Sequence, residues 1–234
     1  MSTIQANLIE PSSGTTVTFG ASGDTVAVGS GASTSGFDSG LASVQTFTSS
    51  GTWTRPAGIT KVIMEVQGGG GGGGKGANGD YNAHGAGGGY CKKFLDVSSI
   101  STSTITIGSG GTAVPAASTA AGGGGGDSIW ADGTNTVTAG GGDGGQISPS
   151  YVVSVGGTAT GGDVNIVGQT ALVNAMSYAG NSVLGFGGTF RSNSSAAGTQ
   201  DGKGYGGGGA TWSGYSTGGT GTGSQGIVIV WEYK

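Results

Sequence analysis

Lys61-Val62-Ile63-Met64-Glu65-Val66-Gln67, followed without a break by the seven glycines Gly68 to Gly74, is the stretch on which the fold turns. The first half alternates, placing Val62, Met64 and Val66 on one face of a strand. The second half carries no side chains. One reading of it is a floppy loop. The other is the extended left-handed helix with three residues per turn, in which seven glycines would span roughly 22 Å. That helix makes no internal hydrogen bonds, so burying it requires N–H and C=O partners on neighbouring runs. Glycine permits such neighbours because no Cβ holds the backbones apart. The chain supplies them at Gly85–Gly89 (interrupted by Ala86), Gly122–Gly126, Gly140–Gly145 (interrupted by Asp143) and Gly206–Gly209, each next to a strand. Ordering costs about 1–2 kcal/mol of backbone entropy per residue. A lone run therefore stays loose, whereas five side by side satisfy one another. The expectation is a layer of packed polyglycine II helices beside a β-sheet.

Outward from this stretch the pattern is all-β. Phe47 to Thr54 alternates large apolar with polar residues, and Arg55-Pro56-Ala57-Gly58 supplies a turn. Further strands read at Tyr90–Val97, Thr102–Ile107, Ser128–Ala131, Thr136–Ala139 and Gly226–Tyr233, with Asp132-Gly133 as a hairpin signal. Only Thr170–Tyr178 has the composition for two helical turns. Trp53 and Trp231 sit in alternating strands and read as core. The opening residues hold a repeat at an offset of nine, Ser13–Gly20 against Ser22–Gly29. Two such rungs cannot bury a core alone and gain stability when identical copies pack around a shared axis. The organisation expected is an attachment and trimerisation segment over 1–30, a linker over 31–44 and a glycine-rich β-sandwich over 45–234.

Composition narrows the function. Of 234 residues 58 are glycine, only 9% are charged, and the net charge is −4. Small net charge with clustered apolar residues argues against disorder. Glycine does not recur strictly every third residue, which excludes collagen, and no long apolar stretch reads as a membrane span. Met1-Ser2-Thr3-Ile4 does not read as a basic, apolar signal peptide, so none is expected. Eight Lys and Arg without a basic stripe make nucleic acid an unfavoured partner. Single Cys91 and single His84 leave no disulfide framework and no paired-histidine or multi-cysteine metal site. Gly69 to Lys75 spells a phosphate-binding loop only superficially, since Gly76 follows where Ser or Thr and a helix are needed. Gly122 to Ile129 fits one calcium β-roll turn without tandem copies, so Asp127 reads as a turn residue bonding backbone amides. His84 reads as an exposed loop histidine rather than a catalytic base. Cys91 beside Lys92 invites a lowered pKa but reads as a small strand residue. No catalysis, cofactor or metal is expected.

From Phe47 onward the chain resembles the glycine-rich domain of bacteriophage tail and tail-fibre proteins. The resemblance rests on Phe47, Gly51, Trp53 and Pro56, then on Lys61–Gly68, Gly87–Val97 with Thr104–Gly108, and Asp127–Trp130 with Val137–Gly142. It continues through Gly161–Gly168, Gly204–Ala210 and Gln225–Tyr233. The opening Met1–Asn7 and Pro11–Thr18 are similar to the start of marine phage fibre-like proteins. Ser148–Val155 and Leu184–Gln200 depart from the pattern. The resemblance implies a virion protein of the tail or capsid surface, homotrimeric, attached to other virion proteins through its N-terminus and presenting its far end to a host cell surface. Rings stacking on sugar faces would suit glycan or outer-membrane protein recognition. The candidate contact residues are Tyr81, His84, Tyr151, Phe190, Trp212 and Tyr215, with Phe186 a further aromatic among Gly and Ser. An architectural component that binds no receptor is the alternative. Ice binding is set aside because Thr134, Thr136 and Thr138 form too short an array.

Overall fold

The structure is a computed structural model that describes residues 40–77, 81–148, 153–172, 178–189, 200–211 and 218–234. The N-terminal repeats lie outside the described residues. Ten strands form two sheets: β1 (Leu41–Phe47), β2 (Gly51–Thr54), β3 (Lys61–Gln67), β4 (Tyr90–Asp96), β5 (Thr102–Thr106), β6 (Ser128–Ala131), β7 (Thr136–Ala139), β8 (Ala159–Thr160), β9 (Val164–Ile166) and β10 (Ile227–Tyr233). The first sheet has the order β1-β10-β3-β4-β9 and the second β8-β7-β6-β5-β2, every pair antiparallel. No helix occurs among the described residues. β1 takes in Leu41–Val44, which the sequence reading assigns to the linker. Ala171–Leu172, inside the helix candidate, pairs as a short strand with Val153–Ser154, and 173–177 lie outside the described residues.

The two sheets close on a shared apolar core. Val62, Met64 and Val66 of β3 meet Val228 and Val230 of β10 and Cys91 of β4, with Trp53, Ile105, Trp130, Val137 and Ala139 from the second sheet. The Trp53 and Trp130 rings lie 5.1 Å apart at 47°, a tilted geometry within the range aromatic pairs favour. Trp231 departs from expectation: it is only partly buried. The inward positions of β10 are taken by Val228, Val230 and Glu232, all fully buried, so Trp231 faces the other side. Glu232 holds that register because its carboxylate accepts from Trp53 Nε1 and Gln45 Nε2, each at 2.7 Å, and from the Ser43 hydroxyl. The β6–β7 hairpin turns through Asp132–Asn135, with Gly133 at φ 89° and the Asp132 carboxylate accepting the amides of Thr134 and Asn135.

Six of these strands continue into glycine runs. β3 leads into 68–75, β5 into 108–112 and β7 into 140–146, while 83–89, 120–126 and 221–226 lead into β4, β6 and β10. The run 68–75 is the centre. Its amides donate with a period of three: Gly68, Gly71 and Gly74 to the carbonyls of Gly89, Ala86 and Ala83; Gly69, Gly72 and Lys75 to Gly126, Gly123 and Ala120; Gly70 and Gly73 to Ser224 and Gly221, all at 2.8–3.1 Å. These three neighbours run antiparallel to it. Its carbonyls accept from three further runs: from Gly142 and Gly145, from Gly111, and from Gly209.

The six neighbours bond one another into a closed ring. Ala86 donates to Asp143, Gly122 to Gly145, Gly123 to Thr112, Gly223 to Gly111, Ser224 to Gly207, and Gly88 to Gly206. Among the described residues no backbone bond joins two members of the central run. None of its glycines has a positive φ, so glycine is present for want of a Cβ rather than for backbone handedness.

Candidate functional site

The far ends of the runs, away from the sandwich, gather the chain's connections. Lys75 ends the central run, exchanging backbone bonds with Ala120. Its Nζ donates to the Gly218 carbonyl at 3.0 Å and to the Ala116 carbonyl, tying two connections together. Tyr81–Asn82 pairs with Ile147–Ser148. Val114 and Thr220 hold each other through two bonds: the Val114 amide donates to Thr220 Oγ1 at 2.8 Å and the Thr220 amide to the Val114 carbonyl at 3.0 Å. Thr220 Oγ1 in turn donates to the Gly73 carbonyl and Thr211 Oγ1 to the Gly74 carbonyl, so hydroxyls cap the orphan carbonyls at the end of the central run.

His84 is not an exposed loop residue. Its imidazole is fully buried, and its Nδ1 accepts the Thr211 amide at 2.9 Å. The reason is its place at the start of the run 83–89, where the ring is enclosed by the bundle rather than by solvent. It is a packing group for the tip, not a contact candidate. Tyr81 lies on the short strand at this end. Tyr151, Phe190, Trp212 and Tyr215 lie outside the described residues. Phe186 is exposed, at the turn-back near the sandwich. Lys75, Thr211 and Thr220 were silent in the sequence, because nothing local says which connection a lysine or threonine at the end of a glycine run will reach.

Cys91 is not activated. Burial pushes its thiol pKa up, Sγ lies 3.1 Å from the Thr138 carbonyl, and Lys92 points to the opposite face with Nζ 3.4 Å from Glu65. Asp127 behaves as read, accepting the Gly141 amide at 2.9 Å. Among the described residues no cluster of three His, Cys, Asp or Glu side chains is placed to hold a metal ion.

The class defined by these features is a β-sandwich continued by a hydrogen-bonded bundle of glycine runs. The family described as a glycine-rich domain matches residues 42–233, and the chain belongs to that family. No curated protein matches the chain.

Proposed function

We propose that this chain is a structural protein of a bacteriophage virion, a tail-fibre or tail-tip component that carries a recognition surface on the end of a stiff glycine bundle. The runs are read as polyglycine II helices: their bonding has a period of three, and the central glycines avoid positive φ. The observation that carries the reading is the convergence of chain connections at the end remote from the sandwich. Loops held on a rigid scaffold are where binding residues concentrate, and Tyr81, Tyr151, Phe190, Trp212 and Tyr215 are the aromatics proposed to meet the host surface. The N-terminal repeats would join identical copies into a homotrimer and attach them to other virion proteins.

Adsorption of the fluorescently labelled full chain to a panel of bacterial strains tests this. Saturable binding to some strains, weakened about tenfold by Trp212→Ala or Tyr215→Ala, a loss typical of one well-buried aromatic contact, supports the adhesin reading. Absence of binding to every strain, with immunogold electron microscopy finding the protein on virions, favours the architectural alternative.

A further inference from the structure

The two outer faces of the sandwich are built from different residues. The second sheet turns Thr52, Thr54, Thr102, Thr104, Thr106, Thr136, Thr138 and Thr160 outward. This is the composition of a strand surface meant for water, since threonine suits strands and stays hydrated. The first sheet does the opposite. Along β10, Val228, Val230 and Glu232 point into the core, while Ile229, Trp231 and Tyr233 alternate with them and are partly exposed, so bulky apolar side chains stand on the outer side of the strand beyond the buried Ile227. Strand register then aligns Val44, Trp231, Ile63 and Phe94 directly across four strands. Val44 is 44% exposed and Phe94 52%.

We propose that this face is where identical copies of the chain meet, as the inward-facing sides of a three-sided prism. The inference rests on the homotrimer reading given above. Three observations select a second copy as the occupant. The chain reaches this face from the N-terminal repeats: Gly40 adjoins Leu41, which lies on the β1 edge of the face. The twelve steps of chain from Gly29 to Leu41 can span no more than about 43 Å, so copies joined at the repeats bring their faces within reach of one another. Linked in this way, the faces meet at an effective concentration near millimolar, which a band this narrow requires. The charges on the face also balance. Lys61 and Asp96 share one row, and Lys92 pairs with Glu65 at 3.4 Å. Copies therefore meet without the repulsion that the net charge of −4 imposes elsewhere.

The test uses the full chain. Light scattering coupled to size exclusion is expected to give a trimer for the natural sequence and for the control Thr104→Glu, which places a charge on the opposite outer face. Phe94→Glu and Val44→Glu are expected to release monomer at micromolar concentration. Thiol labelling gives a second readout: in the trimer, Phe94→Cys should react about tenfold or more slowly than Thr104→Cys, as protection by burial requires. A trimer in which Cys at position 94 reacts as fast as at 104, and which survives Phe94→Glu, overturns this inference and leaves the trimer reading standing. A monomeric natural chain overturns both.

Discussion

At Gly71 an added Cβ would sit 2.0 Å from the Asp143 carbonyl oxygen, and at Gly72 it would sit 2.1 Å from that of Thr112. Backbone cannot yield at such distances without breaking the bonds it makes. Gly71→Ala is therefore expected to cost about 3 kcal/mol or more, at or above the upper range for overpacking. Gly51 in β2 has no atom within 4 Å of the same position, so Gly51→Ala should be neutral or stabilising by up to about 1 kcal/mol. Urea unfolding of the two variants measures the contrast, and equal losses would contradict the account. Tyr90 gives a second test. Burial, reinforced by the charge of Glu65 and a bond to it, raises its pKa from 10.0 to about 12. An acid whose folded pKa is raised contributes stability that is complete below the unfolded pKa near 10 and is lost as pH climbs toward 12. Tyr90→Phe should flatten the fall in melting temperature between pH 9.5 and pH 11.5, and an unchanged slope would remove Tyr90 from that role.

Among the elements, the β6–β7 hairpin depends on one carboxylate. Burial pushes the Asp132 pKa up, but the amides of Asn135 and Thr134 outweigh it and hold the group below the usual carboxylate range. A depressed pKa contributes stability above the unfolded value, lost as pH falls through the folded one. Asp132→Asn should thus lower the melting temperature at pH 7 and make little difference near pH 2; a deficit that persists at pH 2 would count against it. This hairpin was legible from Asp132-Gly133, and β3 from the alternation of Val62, Met64 and Val66. β10 was not legible in the same way. Ile-Val-Ile-Val-Trp-Glu-Tyr offers two alternations, and the one with Ile227, Ile229 and Trp231 is the more apolar, yet it is Val228, Val230 and Glu232 that are fully buried between the sheets, with Ile229 and Trp231 only partly covered. Glu232 decides it by meeting Trp53 and Gln45, partners more than 170 residues away in sequence that no local pattern announces. The strand inside Thr170–Tyr178 was hidden for a similar reason: its pairing with Val153–Ser154 is imposed by the neighbouring run.

For the whole molecule, the sequence gives the presence of glycine runs next to strands but not their order around the centre. Flush junctions such as Gln67-Gly68 show that strand and run are continuous, so the sandwich sets the starting positions of six runs. The closed ring of six neighbours then follows from tertiary pairing, which glycine, having no side chain, cannot encode locally. His84 was misread on the same grounds, since its neighbours in sequence look like a loop while its neighbours in space are packed backbone. Because cohesion comes from backbone bonds, salt should matter little. The two ion pairs among the described residues, Lys92–Glu65 and Lys93–Asp163, are partly exposed. Raising sodium chloride from 0.05 M to 1 M should shift the melting temperature by no more than about 2–4 °C; a larger drop would mean that charges, not amides, hold the bundle. The most direct test is amide hydrogen exchange of the full chain resolved residue by residue by NMR. The account predicts that Gly69 to Gly74 exchange as slowly as Val62 to Val66 of β3, opening only when the whole domain unfolds. Exchange of those glycines at the rate of free chain, with β3 still protected, would contradict it.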